Sequence, residues 1–209
     1  MPGAFVTFEG GEGTGKSTQL KLLAATIMAR GIPLIQTREP GGTPEAEALR
    51  TLLVNGDTGR WTVEAEALLN YAARASHLQA IIRPALTAGK FVLCDRFSDS
   101  TRAYQGYAGG CDMKLLDALE ASIVGPTRPA LTLVLDIDPA RGLERAKARA
   151  DGSEDRYERK GLAFHQRLRA GFLTIAEAEP KRCKVIDASG AIDDIKARIH
   201  AAVEPLLHG

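Results

Sequence analysis

The clearest indication of the fold is the stretch Gly10-Gly11-Glu12-Gly13-Thr14-Gly15-Lys16-Ser17, which fits the pattern G-x-x-x-x-G-K-[ST]. Glycines let the backbone turn tightly and point its N–H groups at phosphate oxygens. The lysine can then contact the outer phosphates, and the serine hydroxyl can ligate Mg²⁺. Residues 10–18, ending at Thr18, are therefore predicted to bind a nucleoside triphosphate.

Short apolar runs alternate with segments of helical periodicity along the rest of the chain. Strands are expected at residues 4–9, 34–37, 91–95, 131–136 and 184–187. This alternation predicts a parallel sheet with helices on both faces. We expect an α/β, three-layer P-loop NTPase fold with a five-stranded sheet, formed by residues 1–209 as one domain.

One long helix is predicted from Val63 to about Arg83, with Leu68, Ala72, Ala75, Leu78 and Ile82 facing inward. The same helix carries a polar stripe. This stripe comprises Asn70, Arg74 and His77, at spacings i, i+4 and i+7. The stripe either faces water or lines a binding site, and the spacing alone does not distinguish the two.

Composition excludes several classes of protein. The 209 residues contain 27 Lys plus Arg and 26 Asp plus Glu, for a net charge of +1, which favours neither nucleic acid nor an anionic membrane as the partner. The three cysteines are widely spaced and form no CxxC pair, and the N-terminus does not fit a signal peptide. No apolar run is long enough to span a membrane. We expect a cytoplasmic protein with reduced cysteines.

Arginines follow two of the predicted strands, where open α/β sheets bind ligands. Arg38 lies in residues 37–43 after the second strand, and Arg96 lies in residues 95–101 after the third. Arginine suits bidentate recognition of phosphate, so these two residues and Arg74 predict a second anionic substrate. Asp95 ends a buried strand, where its carboxylate could hold Mg²⁺ directly or through water.

Taken together, these pieces resemble the thymidylate kinase family, of the nucleoside monophosphate kinase group. The matching segments occur in the family's order and cover nearly the whole chain: residues 8–18, 37–43, 71–74, 95–96, 100–106, 128–136 and 155–158. The resemblance implies transfer of the ATP γ-phosphoryl group, with Mg²⁺, to thymidine monophosphate (dTMP) for dTTP synthesis. It also implies a homodimer.

The family's site residues map onto this chain position by position. By resemblance, Arg96 and Arg38 clamp the phosphate of the acceptor, and Arg74 and Thr101 contact the thymine edge. Tyr104 lies against the sugar, and Glu12 approaches the 3′-hydroxyl. The remaining acceptor residues would be Pro40, Asn70, Ser100 and Gln105, while Arg145 would join the ATP site. Four residues before Arg74 the family normally has a stacking phenylalanine, where this chain has Asn70.

A dense, mixed-charge segment from Glu144 to Lys160 predicts either a mobile flap or an ordinary surface loop, and the lid is expected at about 149–160. Some family members carry an arginine in the phosphate loop and others supply it from the lid. Gly13 occupies the loop position here, so the resemblance implies that Arg149 and Arg156 act in catalysis from the lid, beside the catalytic residues Lys16, Arg96 and Glu12.

Two rival functions remain open from the sequence. The first is a deoxynucleoside kinase or a kinase for a different pyrimidine monophosphate, although the pair Arg38 and Arg96 favours a phosphorylated acceptor. The second is a P-loop ATPase or binding module that drives a partner, which would leave the arginine clusters without a role. Acceptor-dependent release of ADP separates a kinase from an ATPase.

Overall fold

The computed structural model describes residues 3–148 and 156–207. Its centre is a five-stranded parallel sheet in the order β2-β3-β1-β4-β5. The strands are β1 (Phe5–Glu9), β2 (Leu34–Arg38), β3 (Phe91–Asp95), β4 (Leu131–Asp136) and β5 (Cys183–Asp187). The predicted fold class is confirmed, and β3 and β4 have the predicted bounds.

Nine α-helices are found in the described part of the chain. They are α1 (Lys16–Ala29), α2 (Pro44–Val54), α3 (Val63–His77), α4 (Arg83–Thr87), α5 (Ser98–Thr101), α6 (Met113–Leu119), α7 (Pro139–Lys147), α8 (Leu162–Ala178) and α9 (Ile192–Leu207). Turns of π-helix continue three of them, at Leu78–Ile82, Arg102–Ala108 and Glu120–Val124, and a 3₁₀ turn spans Glu158–Lys160. Among these described helices, none combines the length and apolar character that crossing a membrane requires.

Alternation along each strand divides the core between the two faces of the sheet. Val6 and Phe8 pack with α1 and α9 on one face. On the other face Phe5 packs with α3 and α6, and Val134 packs with α8. Helices therefore cover both faces. Because all five strands are parallel, their carboxyl ends lie along one edge of the sheet.

The helix predicted from Val63 to Arg83 is interrupted, and two of its predicted inward residues are wrong. α3 ends at His77 and a π-helical turn follows. Leu68 is 51% exposed and Ala72 is also exposed, whereas Arg74 and His77 are buried. Because α3 lies over the edge of the sheet where the strands end, its polar face turns inward and its small apolar face turns outward.

Candidate active site

The phosphate loop links the end of β1 to the start of α1. Gly10, Gly13 and Gly15 adopt φ angles of 131°, 67° and 91°, a region that side chains rarely tolerate. A Cβ atom on Gly13 would lie 1.8 Å from the carbonyl oxygen of Gly142 in α7. The loop thus packs its backbone directly against α7, and no side chain fits at position 13 without movement.

Lys16 is buried within this loop. Its Nζ donates to the carbonyls of Gly10 at 3.1 Å and Gly11 at 2.7 Å. Burial and the neighbouring Arg96 cation lower the pKa of Lys16 to about 8, against the opposing effect of Glu12. Thr18 lies exposed in the first turn of α1 beside Ser17. The loop therefore holds one ammonium group at the helix N-terminus, where phosphate groups bind.

Two oxygen ligands meet at the mouth of the loop. The Ser17 hydroxyl donates to Asp95 Oδ2 at 2.6 Å, which joins α1 to the end of β3. Hydroxyl and carboxylate oxygens are hard ligands of the kind that Mg²⁺ takes together with phosphates and water. No group of three or more His, Cys, Asp or Glu suited to a metal occurs in residues 3–148 and 156–207. The donor set fits a magnesium ion completed by a nucleotide.

Arg96 connects the loop to the neighbouring cavity. Its guanidinium donates to the carbonyl of Gly10 at 2.9 Å and to Glu12 Oε1 at 3.0 Å. Burial acts to raise the pKa of Glu12, but the Arg96 and Lys16 charges outweigh it and hold that pKa at about 2. Arg38 is more exposed and pairs with Glu47 at 3.0 Å. Both arginines line a cleft of about 210 Å³ shared with the phosphate loop.

A second cavity of about 130 Å³ adjoins this cleft. The two share four lining residues: Glu12, Glu39, Arg50 and Arg96. The predicted acceptor residues that line the second cavity are Pro40, Asn70, Arg74, Arg96, Ser100, Thr101, Tyr104 and Gln105. Residues separated by up to 65 positions are thus gathered where two ligands would meet.

Arg74 is the buried cation of this cavity, at 2% exposure. Its Nε donates to Glu39 Oε2 at 2.8 Å and its Nη2 donates to Thr101 at 3.0 Å. Its Nη1 has no hydrogen-bond partner among the described residues, although a buried donor of this kind is costly to leave unpaired. Of the polar stripe of α3, Asn70 and Arg74 line this cavity, whereas His77 is buried against Thr37 and Glu39.

Tyr104 and Asn70 form two further parts of the cavity wall. The Tyr104 hydroxyl donates to Glu12 at 2.5 Å, and its ring lies 5.0 Å from the Arg96 guanidinium. Asn70 donates from Nδ2 to the carbonyl of Glu66 at 2.8 Å. The wall of the cavity thus presents one aromatic ring and one half-buried amide.

The structure gives the lid residues different positions. Arg145 donates to the carbonyl of Ala188 at 3.2 Å, beside the loop that follows β5. Arg149 lies outside the described residues. Arg156 is fully buried against the α2–α3 connection, and its guanidinium donates to Glu66 rather than toward the phosphate loop. Its predicted catalytic role conflicts with this placement.

Sequence reasoning missed the buried carboxylates Glu39 and Glu66 and the wall residues Tyr157 and Glu158 as parts of this site. Glu66 lies four residues before Asn70, so the same i, i+4 spacing that singled out the polar stripe would have included it. No sequence spacing indicates the role of Glu39, because Glu39 follows β2 and its partner Arg74 lies far along the chain on α3.

A triphosphate loop facing an arginine-lined second cavity is the arrangement of a P-loop kinase with a small anionic acceptor. A sequence profile described as thymidylate kinase matches residues 8–199. The chain is 55% identical to a thymidylate kinase of Caulobacter vibrioides, over 96% of each chain, and 50% identical to one of Ruegeria pomeroyi, over 94% of this chain and 92% of the relative. The crystal structure of thymidylate kinase from Ehrlichia chaffeensis superposes with a TM-score of 0.78 at 35% identity, covering 97% of this chain and 99% of that one.

The chain belongs to the thymidylate kinase family. It is a kinase that phosphorylates dTMP with ATP as the phosphoryl donor, and the resemblance inferred from the motifs is confirmed.

Proposed function

We propose that transfer takes place where the two cavities adjoin, with ATP and Mg²⁺ on the phosphate loop and dTMP in the second cavity. The observation that carries this proposal is the shared lining: Glu12 and Arg96 contact both spaces. A γ-phosphate held on Lys16 would therefore lie next to an acceptor phosphate held on Arg96. Such positioning, together with charge neutralisation, is most of what catalysis of phosphoryl transfer requires.

On the acceptor side, Arg38 and Arg96 bind the phosphate, and Arg74 and Thr101 contact the thymine edge. The unpartnered Nη1 of buried Arg74 supports this assignment, since a base oxygen would satisfy it. Tyr104 packs against the sugar and Glu12 approaches the 3′-hydroxyl. The lowered pKa of Glu12 keeps it an acceptor for that hydroxyl throughout the neutral range. Pro40, Asn70, Ser100 and Gln105 complete the wall.

On the donor side, the backbone of residues 10–15 binds the phosphates, with Lys16, Ser17 and Thr18 at the start of α1. Ser17 and Asp95 would hold the magnesium ion, which neutralises charge on the phosphates when bound. Arg145 completes the ATP site, where its guanidinium is held by a hydrogen bond to the carbonyl of Ala188. We assign the transition-state arginine to Arg149, since no side chain fits at Gly13 in the loop.

The active protein is a cytoplasmic homodimer that supplies the diphosphate for dTTP synthesis. Leu68 on α3 and Leu52 on α2 are 51% and 37% exposed. Apolar exposure on two packed helices supports burial against a second copy. The three cysteines, all unpaired, support a reducing compartment. Sedimentation at micromolar concentration is expected to give twice the mass of one chain.

The test is ADP release with ATP and Mg²⁺ across a panel of acceptors. We expect release that depends on dTMP, with thymidine inactive because it offers no phosphate to Arg38 and Arg96. Release without any acceptor would indicate an ATPase and overturn the proposal. A second candidate acceptor is a different pyrimidine monophosphate, favoured by Asn70 in place of a stacking ring; equal rates with dUMP or dCMP would support it.

A further inference from the structure

Arg156 connects the C-terminal part of the predicted lid segment, residues 156–160, to the end of α2. Its guanidinium donates to the carbonyls of Leu53 at 3.0 Å, Asp57 at 2.8 Å and Thr58 at 3.0 Å. Leu53 belongs to the last turn of α2, where carbonyls lack partners within the helix. A cation from about one hundred residues away thus caps this helix, and the side chain is 0% exposed.

Glu66, on α3, neutralises that cation and connects it to the acceptor cavity. Its Oε1 accepts from Arg156 Nη2 at 2.5 Å, in an ion pair whose side chains are 0% and 1% exposed. Its Oε2 accepts from Gln105 at 2.9 Å and from the Tyr157 hydroxyl at 3.3 Å. One buried carboxylate therefore holds an arginine on one side and two residues of the cavity wall on the other.

One of these two wall residues, Tyr157, in turn supports Tyr104. The rings of Tyr157 and Tyr104 meet edge to face, with centroids 5.3 Å apart. Tyr104 then donates to Glu12 in the phosphate loop. A continuous series of contacts runs from Arg156 through Glu66 and Tyr157 to Tyr104, so the geometry of the cavity wall depends on the buried pair.

We propose that Glu66 and Arg156 are a positioning pair for acceptor binding, which rests on the proposed function of this cavity and refines it. Arg156 acts through Tyr157 and Gln105 and does not contact the transferring phosphoryl group. Moving its guanidinium to the phosphate loop would leave the buried Glu66 charge and the buried Leu53 carbonyl without it, which is strongly unfavourable. The pair therefore sets affinity for dTMP, and the phosphoryl-transfer step is carried by other residues.

The test measures the Kd for dTMP by calorimetry without ATP, in a paired variant carrying Glu66→Met and Arg156→Met. Removing both charges avoids stranding either one in the interior. Lys160, which also contacts Glu66 Oε1 at 3.4 Å, keeps 15% of its side chain exposed to solvent. We expect the Kd for dTMP to rise at least tenfold, with the Kd for ATP within twofold of wild type. The matched control carries Arg30→Gln and Glu204→Gln, which removes an exposed ion pair between the residue that follows α1 and a residue of α9, and it is expected to change neither value.

An unchanged Kd for dTMP in the folded paired variant overturns the proposal, whether kcat falls or stays constant. If the paired variant does not fold, Arg156→Lys provides the same test, because lysine keeps the charge but loses the planar fork. We expect Arg156→Lys to weaken dTMP binding by a smaller factor and to leave ATP binding unchanged. Wild-type turnover of dTMP is measured separately, so a failure of the proposed function is recognised independently of these affinities.

Discussion

The phosphate loop presents one continuous stretch of backbone, residues 10–15, whereas the acceptor cavity is lined by side chains scattered from residue 12 to residue 158. On the donor side, glycine φ angles and a helix N-terminus define the binding groups. On the acceptor side, three of the functional side chains are held by buried acidic side chains: Arg74 by Glu39, Gln105 by Glu66 and Ser100 by Glu9.

Because the phosphate loop binds through its backbone and the acceptor cavity through side chains, the two sites should respond differently to substitution. A backbone site depends on local geometry and on very few side chains, so one substitution there can abolish it. A side-chain site depends on several ion pairs that support one another, and its losses are expected to be graded. Substitutions on the two sides should therefore separate catalytic rate from acceptor affinity.

The largest effect is expected for Lys16→Ala on the donor side. Lys16 is the loop cation placed to contact the β- and γ-phosphates, so kcat should fall by about 10³-fold or more, in a steady-state assay of ADP release. Lys21→Ala, an exposed lysine on the same helix, is the control and should retain activity. Normal turnover in a Lys16→Ala protein with an unchanged circular dichroism spectrum would refute the assignment.

Arg149→Ala should lower kcat by at least about 10²-fold with little change in KM, since a well-placed arginine stabilises charge that develops in the transition state. This prediction sharpens the contrast with Arg156, for which the change is expected in dTMP affinity. Steady-state kinetics with varied ATP and dTMP distinguish the two. A change confined to the KM for ATP would mean that Arg149 only helps to bind the donor.

Gly13→Ala tests whether the loop requires its close approach to α7. The new Cβ would meet the Gly142 carbonyl at 1.8 Å in addition to the strain of a φ of 67°. We expect a loss of at least about 2 kcal/mol in the free energy of unfolding without nucleotide. Gly31→Ala has a similar φ of 72° but no atom within 4 Å, so it should cost about 1 kcal/mol. Equal losses in urea melts would contradict the packing argument.

Asn70→Phe tests the acceptor side by adding an aromatic ring to the cavity wall. A stacking ring should tighten dTMP binding by at most about 1–3 kcal/mol. Two effects reduce that gain: the substitution removes the hydrogen bond from Asn70 to the Glu66 carbonyl, and a larger side chain can overpack the cavity wall. Calorimetric Kd values for dTMP in wild type and variant measure this change in affinity. Unchanged affinity would show that position 70 does not contact the base.

A pH-dependent effect concerns the buried carboxyl of Glu9, which accepts from the Phe97 amide and the Ser100 hydroxyl. Burial and nearby Asp99 raise the pKa of Glu9 from 4.5 to about 8. A raised pKa in the folded state means that its stabilising contribution is full below pH 4.5 and is lost as the pH rises through about 8. The Tm of the Glu9→Gln variant should therefore fall less than the Tm of wild type as the pH rises from 5 to 8.5. Parallel Tm curves would count against the raised pKa.

Local patterns predicted the fold and the position of the phosphate loop between a strand and a helix. The phosphate loop is contiguous, and the caps of α2 and α7, at Thr43 and Asp138, each use a side chain next to a proline that begins the helix. The orientation of α3 was predicted wrongly at Leu68 and Ala72, because apolar periodicity takes no account of an arginine buried with Glu39. The contacts of Arg156 were likewise not predicted, since its partners Leu53 and Glu66 come from helices far away in the chain.

The most direct test of separate donor and acceptor sides is a calorimetric titration of dTMP, without ATP, into wild type and Lys16→Ala. The separation predicts that the variant without activity still binds dTMP with a Kd within about twofold of wild type. It also predicts that thymidine binds both proteins at least about tenfold more weakly, because it lacks the phosphate that Arg38 and Arg96 are proposed to bind. A loss of tenfold or more in dTMP affinity on removing Lys16, or equal binding of thymidine and dTMP, would contradict it.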